Sequence, residues 1–462
     1  MNLLYGLNDN ALLQRDNDNM CACTFGAECK GELVSSLGLV ERIGEDAYTL
    51  CGMPAGGPYE VTLSDDEDSV KLTLWVGDIW LLGGQSNMEG SGRFREKDMR
   101  EDEDPNPAIR AYYSDNRWGA AVHMLHEPWI SVDDCQREFW RNNQINSPWK
   151  SDQPEFISHG VAKRGIGPGV FFARKLYELT GGVPQALVPC ALGGSGMFRW
   201  NPDAKEDNLY HAMVRRVKRV GGKVRGLFWY QGCNECYDDG IEKLHYRMAR
   251  MIDCLRRECK DDKLPVVQVQ IAKNNIPTRT LDVGFRWERL REKQRTLGQY
   301  VPYLDTVAAI DSSYSDLIHI SADSQENVGL RGALSMAALC GFGGALSPKL
   351  SSMEMRWDEC IPFRAVLVVH FENASNLMSY GAPLGFSITE TPEEEIINPT
   401  MRIARIAFEG DAALIYTELS QEALAGCYLH YGYANMGHCN IVDKNGHSLL
   451  AMGPVCIADY LK

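Results

Sequence analysis

The chain has 462 residues, 44% of them hydrophobic and 24% charged, a balance that suits well-packed domains and excludes large-scale disorder. Its 62 acidic and 47 basic side chains give a formal net charge of −15, which repels phosphate backbones, so nucleic acid and anionic membrane surfaces are excluded as general partners. No apolar run nears the ~20 residues that span a bilayer, Met1–Asp9 lacks a basic start and an apolar core, and the 15 cysteines are odd in number and irregularly spaced; together these point to a cytoplasmic protein with reduced thiols.

The length exceeds what one core usually serves, and the chain reads as three segments, 1–71, 72–348 and 349–462. The first has short strands broken by Gly, Pro and Asp, such as Tyr48–Gly52 and Gly56–Leu63, and predicts a small β unit. The second alternates strands with helices. An apolar run over 72–82 leads into Gly83-Gly84-Gln85-Ser86-Asn87-Met88, and strand-like runs follow at Gln185–Cys190, Val224–Tyr230, Pro265–Ile271 and Asp305–Ile310. Helical patterns lie between or after them near 168–180, 208–220, 240–259, 284–298 and 324–341. Val- and Ile-rich strands spaced by amphipathic helices predict an α/β fold, a three-layer α/β/α arrangement around a mostly parallel sheet. The stretch 105–165 has few strand or helix signals and carries Trp118, Trp129, Trp140 and Trp149; it reads as an insertion forming a lid or subsite wall, or a satellite core. The third segment returns to strands at Ala365–Phe371, Ala413–Tyr416 and Tyr428–Tyr433, forming a β-rich accessory region that packs alone or with 1–71.

Parallel sheets place ligand sites at the carboxyl ends of their strands, and Ser86 sits at such an end. Small neighbours let the backbone turn and present a hydroxyl, although the same residues also suit an ordinary turn. A serine nucleophile needs a base and a group to orient that base. Asp316-Leu317-Ile318-His319, after the strand ending at Ile310, supplies both types. The developing oxyanion needs donors; Gly193-Gly194-Ser195-Gly196 and Gln231-Gly232 follow two other strands of the same sheet. Cys233 and Cys236 have C-x-x-C spacing, but no second ligand pair stands at zinc-finger spacing, and free thiols are expected.

The blocks GGQSNM (83–88), ALGGSG (191–196), WYQG (229–232) and DLIH (316–319) together resemble the SGNH hydrolase superfamily, and within it the sialate O-acetylesterase branch, related to acetylxylan esterases. Leu12–Asp16, Gly56–Tyr59, Leu209–Met213 and Tyr431–Tyr433 extend the likeness over nearly the whole chain. The resemblance implies a serine esterase that removes O-acetyl groups from sugars through an acetyl-enzyme. Acetylated sialic acid is the expected substrate, with acetylated xylan or another glycan as the alternative. It implies Ser86 as nucleophile, His319 as general base and acid, and Asp316 as its orienting partner. Ser86 and Gly194 by their N–H groups, and Gln231 by its side-chain amide, would form the oxyanion hole; no metal or organic cofactor is implied. Gln85 and Asn87 beside the serine, and Arg199 and Trp200 after the glycine loop, are further candidate sugar contacts, though Trp200 equally suits the core. One position departs from the family: a glutamate usually follows the Gln-Gly pair, where this chain has Cys233, Asn234 and then Glu235. The competing readings are a glycan-binding homologue with little turnover and an esterase for longer acyl chains.

Overall fold

The apolar run before Ser86 forms part of a 16-residue strand, β1 (Ser69–Gly84), whose second half is buried throughout. The computed structural model describes residues 1–146, 164–237, 240–276, 282–395, 398–434 and 437–462. Six more strands join β1: β2 (Ile109–Tyr112), β3 (Trp118–Ala120), β4 (Gln185–Pro189), β5 (Gly226–Tyr230), β6 (Val266–Gln270) and β7 (Leu304–Ala308). Their order is β3-β2-β4-β1-β5-β6-β7. Only the edge pair β2–β3 along this path is antiparallel; β1 runs parallel to both its neighbours. The chain places β4 on one side of β1 and then crosses to β5 on the other, which opens a crevice at the carboxyl end of β1.

Helices cover both faces, as the alternating pattern predicts. Helix α1 (Ser86–Glu89) follows β1 directly, α2 (Asp134–Asn146) follows β3, and α3 (Gly169–Leu179), α4 (Leu209–Arg219), α5 (Gly240–Cys259), α6 (Asp282–Thr296) and α7 (Ala322–Cys340) follow in turn. Helices α3 and α7 pack on each other, while α4, α5 and α6 pack in succession. Successive side chains of β5 serve the two layers, because side chains alternate across a strand. Phe228 stacks on Phe172 of α3 with centroids 4.7 Å apart, and Trp229 meets Trp200 edge-on at 4.9 Å.

The region 105–165 contributes more regular structure than its composition announces. Strands β2 and β3 extend the central sheet, and α2 lies after them. All four residues of β2 are buried, the charged Arg110 included, and a run of four is too short to mark a strand by its pattern. Trp118 is buried against Tyr112 at 5.2 Å. Trp149 lies outside the described residues.

The N-terminal strands attach to the first half of β1. Gly56–Ser64 pairs with it antiparallel and Leu12–Gln14 parallel. A buried carboxylate locks this junction. Asp78 in β1 accepts from Arg15 Nη2 at 2.6 Å, Arg15 Nε at 3.0 Å and Arg225 Nε at 2.9 Å. Such pairs define geometry more than they add stability, but removing one partner costs roughly 3–5 kcal/mol. The core under these strands is continuous with that of the central sheet. The C-terminal segment builds a four-stranded antiparallel sheet, ordered Lys349–Trp357, Ala365–Glu372, Ala412–Thr417, Ile403–Glu409. Its own core includes Leu367, Val369, Ile415 and Tyr431 and reaches Ala308 and Ile310 at the end of β7.

His126, between β3 and α2, is buried, and burial pushes its imidazole down to about 3. The unfolded chain takes up a proton near the ordinary value of ~6.5, whereas the folded protein resists it until about 3. This residue therefore contributes stability that is fully present above ~6.5 and is lost progressively as pH falls toward the folded value. The expected outcome is that His126→Leu shows a smaller drop in urea midpoint between pH 7 and pH 4 than the parent chain. An equal drop would show that His126 is not part of the acid-sensitive set.

Candidate active site

The serine hydroxyl stands where β1 ends. Gly84 adopts φ +129°, and a Cβ there would lie 2.1 Å from the Tyr230 carbonyl oxygen, so only glycine lets β1 and β5 stay paired to their ends. Gln85 N–H then donates to that same carbonyl at 3.0 Å, and the chain turns into α1 with Ser86 first. The Gln85 side chain, itself buried, accepts from the N–H groups of Gly232 and Cys233 at 3.1 and 3.0 Å. It therefore ties the Ser86 turn to the loop after β5 rather than facing outward.

His319 and Asp316 arrive from the loop between β7 and α7. His319 Nε2 lies 3.0 Å from Ser86 Oγ, and its Nδ1 lies 2.8 Å from Asp316 Oδ2. The other carboxylate oxygen, Oδ1, accepts from the backbone N–H groups of Ile318 and His319, both at 2.9 Å. Burial works against the Asp316 charge, but the Ile318 N–H, the imidazole and the His319 N–H outweigh it and hold the carboxyl at about 2. An ionised Asp316 only accepts, so Nδ1 carries the proton and Nε2 is left to accept from the serine hydroxyl. Asn87 fastens the loop from the other side, its Oδ1 accepting from Ile320 N–H at 3.1 Å.

Two backbone N–H groups near the hydroxyl, those of Ser86 and Gly194, donate to no described group. Gln231 is placed otherwise than expected. Its side-chain amide is buried and gives its protons to the Ser195 carbonyl at 2.8 Å and to Glu235 Oε2 at 3.0 Å, so it is not presented to the cleft. Glu235 Oε1 accepts from Met197 N–H at 2.6 Å. The short helical turn Cys233–Cys236 brings this carboxylate back to Gln231.

These groups line a cleft of about 480 Å³. Gln85, Ser86, Asn87, Gly194 and His319 border it, as do Glu89, Cys233, Asn234 and the rings of Trp140, Tyr237 and Trp287. Trp140 comes from the 105–165 region, which thus forms one wall of the cleft. Tyr237 and Trp287 carried no local signal; they meet edge-on at 5.5 Å only because α6 packs beside the loop after β5. Arg199 and Trp200 do not border the cleft. Trp200 is fully buried against Trp229, and the Arg199 guanidinium lies 4.2 Å over the Phe139 ring. Burial pushes the Glu89 carboxyl up to about 7, against the pull of the Gly193 N–H. Burial likewise pushes the Cys233 thiol up to about 12, which keeps it a thiol at neutral pH. Among the described residues one group has metal-ligating types, Asp98, Glu101 and His123, away from the cleft. Arg95 already neutralises Asp98, and Arg174 pairs with Glu101. No helix among the described residues is long and apolar enough to cross a membrane.

A family model described as carbohydrate esterase, sialic acid-specific acetylesterase, matches residues 76–338. The chain is 28% identical over 302 residues to a probable carbohydrate esterase of Arabidopsis thaliana, a match covering 61% of this chain and 98% of the relative. It is 25% identical over 207 residues to the sialate O-acetylesterase of Homo sapiens, covering 39% of this chain and 36% of that protein. Among solved structures, a carbohydrate acetylesterase from Xanthomonas citri superposes with a TM-score of 0.70 at 22% identity over 98% of both chains, a likeness of fold.

Glu235 accepts from two buried donors, so Glu235→Ala should lower unfolding free energy by roughly 2–4 kcal/mol, since each buried group left unsatisfied costs about 1–3 kcal/mol. Urea unfolding checks this. A change under ~0.5 kcal/mol, the scale of ordinary surface substitutions, would mean that the carboxylate does not hold the loop.

Proposed function

The chain belongs to the sialic acid-specific acetylesterase family of carbohydrate esterases, and from that premise we propose that Ser86 is the nucleophile of a Ser-His-Asp mechanism acting on O-acetylated sugars. The observation that carries this reading is the continuous hydrogen-bond chain from Ser86 Oγ through His319 to Asp316, bordering a cleft at the carboxyl edge of the sheet. His319 Nε2 removes the hydroxyl proton as Oγ attacks the acetyl carbonyl, and Asp316 stabilises the imidazolium. The tetrahedral oxyanion is received by the N–H groups of Ser86 and Gly194. Gln231 acts behind them, holding the Ser195 carbonyl of the glycine loop. Collapse of the intermediate expels the sugar hydroxyl, which takes its proton from His319. Water activated by the same imidazole then releases acetate from the acetyl-enzyme.

An O-acetylated sialic acid is the substrate this reading expects, in line with the family description. A second reading, an acetylated neutral sugar such as a xylan fragment, is favoured by the cleft itself. Its described lining offers three aromatic rings and the Glu89 carboxyl, with no lysine or arginine to pair with a sugar carboxylate. Aromatic faces suit the C–H faces of neutral pyranoses.

Acetate release from acetylated sialic acids and acetylated xylo-oligosaccharides, measured side by side, separates these substrates. Ser86→Ala should lower turnover of the better one by roughly 10⁴-fold or more, as nucleophile deletions do. Unchanged turnover in Ser86→Ala would remove the mechanism, and sugar binding without acetate release by the parent chain would leave only a glycan-binding protein.

A further inference from the structure

Several hydrogen bonds hold the loop after β4, and the Gly194 N–H takes part in none of them. Leu192 N–H donates to the Gly84 carbonyl at 3.1 Å, which fastens the loop to the end of β1. Ser195 Oγ donates to the Leu192 carbonyl at 2.7 Å, and the Ser195 carbonyl accepts from Gln231. Two further fastenings flank the peptide between Gly193 and Gly194. On one side the Glu89 carboxyl accepts from Gly193 N–H. On the other, Asn234 Nδ2 donates to the Gly194 carbonyl at 2.7 Å. The peptide between them carries the Gly194 N–H, which donates to no described group. A Cβ at Gly193 would lie 2.8 Å from Glu89 Oε2 and 3.5 Å from Ser86 Cβ, so the loop, the carboxyl and the serine meet closely here.

We propose that Glu89 is a positioning residue which, with Asn234 opposite, clamps the Gly193–Gly194 peptide so that the Gly194 N–H stays aimed at the oxyanion. This deepens the reading above and rests on Gly194 as an oxyanion donor. The clamp matters because a donor stabilises the transition state only when fixed before charge develops; a peptide free to rotate spends that stabilisation on its own ordering. Glycine at both positions makes the peptide mobile unless side chains hold it. The clamp needs only an acceptor oxygen, which a carboxyl, a carboxylate or a carboxamide each provides. Helix α1 thus contributes residues at both its ends, Ser86 for the chemistry and Glu89 for the oxyanion loop.

The test compares the full chain with Glu89→Ala, Glu89→Gln, Asn234→Ala and Ser86→Ala, using p-nitrophenyl acetate turnover and the affinity of phenylboronic acid, which forms a tetrahedral adduct on an active serine. Deleting an oxyanion donor costs roughly 10²–10³ in kcat, so a misaimed one in Glu89→Ala should cost about 10- to 100-fold. KM should stay within about twofold, and boronate affinity should fall in step with kcat. Glu89→Gln should restore most of the turnover. Asn234→Ala should give the same kcat-only loss, and it carries the test if Glu89→Ala does not fold. Full turnover in Glu89→Ala, a loss confined to KM, or a Glu89→Gln as impaired as the alanine variant would each overturn the clamp. Loss of turnover in Ser86→Ala alongside unimpaired clamp variants sinks the clamp alone, whereas an active Ser86→Ala sinks the underlying mechanism.

Discussion

The parallel pairing of β1 with both β4 and β5 is the constraint from which the site follows. Parallel strands can be joined only by crossovers, so the segments after β1, β4 and β5 must all leave from the same edge of the sheet. That edge receives the Ser86 turn, the Gly193–Gly196 loop and the Gln231–Cys236 loop side by side, although 145 residues separate Ser86 from Gln231 in the chain. Register then sets their height: Gly83 lies opposite Trp229 and Gly84 opposite Tyr230, so the serine turn begins level with the end of β5. Burial of β1 on both faces keeps this register from slipping, because a one-residue shift would turn its apolar side chains to the wrong layers.

Around this edge, buried polar side chains hold the loops in place. Gln85, Asn87, Gln231 and Glu235 are all buried and all spend hydrogen bonds on holding loops. At the cleft, Ser86 Oγ is bonded to His319, and the N–H groups of Ser86 and Gly194 donate to no described group. On the proposed mechanism, a site built this way would be ordered before substrate arrives, which is how oriented dipoles stabilise a developing charge without reorganising. Cys233 fits the same scheme. It stands where the resemblance implies a glutamate, and the Cys233–Cys236 turn carries the Glu235 carboxylate around to Gln231.

The central fold was legible because its signals are local. Val- and Ile-rich runs such as 265–271 and helical periodicities such as 240–259 mark elements whose observed limits lie within a residue or two. Strands β2 and β3 were not legible, since segments of four and three residues are too short to show a period and owe their conformation to pairing, β2 with β4 and β3 with β2. Gln231 and Arg199 are placed otherwise than expected, and Trp200 takes the core alternative, for one shared reason. Each stands at the right place in the chain for the cleft, but side-chain direction depends on what packs behind it: Ser195 and Glu235 for Gln231, Phe139 for Arg199, Trp229 for Trp200. Tyr237 and Trp287 were invisible for the converse reason, as only packing of α6 brings them to the cleft wall.

By itself, then, the chain's pattern of residues determined the alternating architecture and the four short blocks bearing Ser86, Gly194, Gln231 and Asp316–His319. Glycines at strand ends and an aspartate three residues before a histidine are local chemistry, readable without coordinates. Tertiary structure alone decided which of those groups face one another. The 3.0 Å approach of His319 to Ser86, the enclosure of Gln231 and the hold of Glu89 on Gly193 join residues brought together by sheet order and helix packing. A hydrogen bond is lost over less than an ångström of misplacement, and no spacing along a chain encodes distance at that scale.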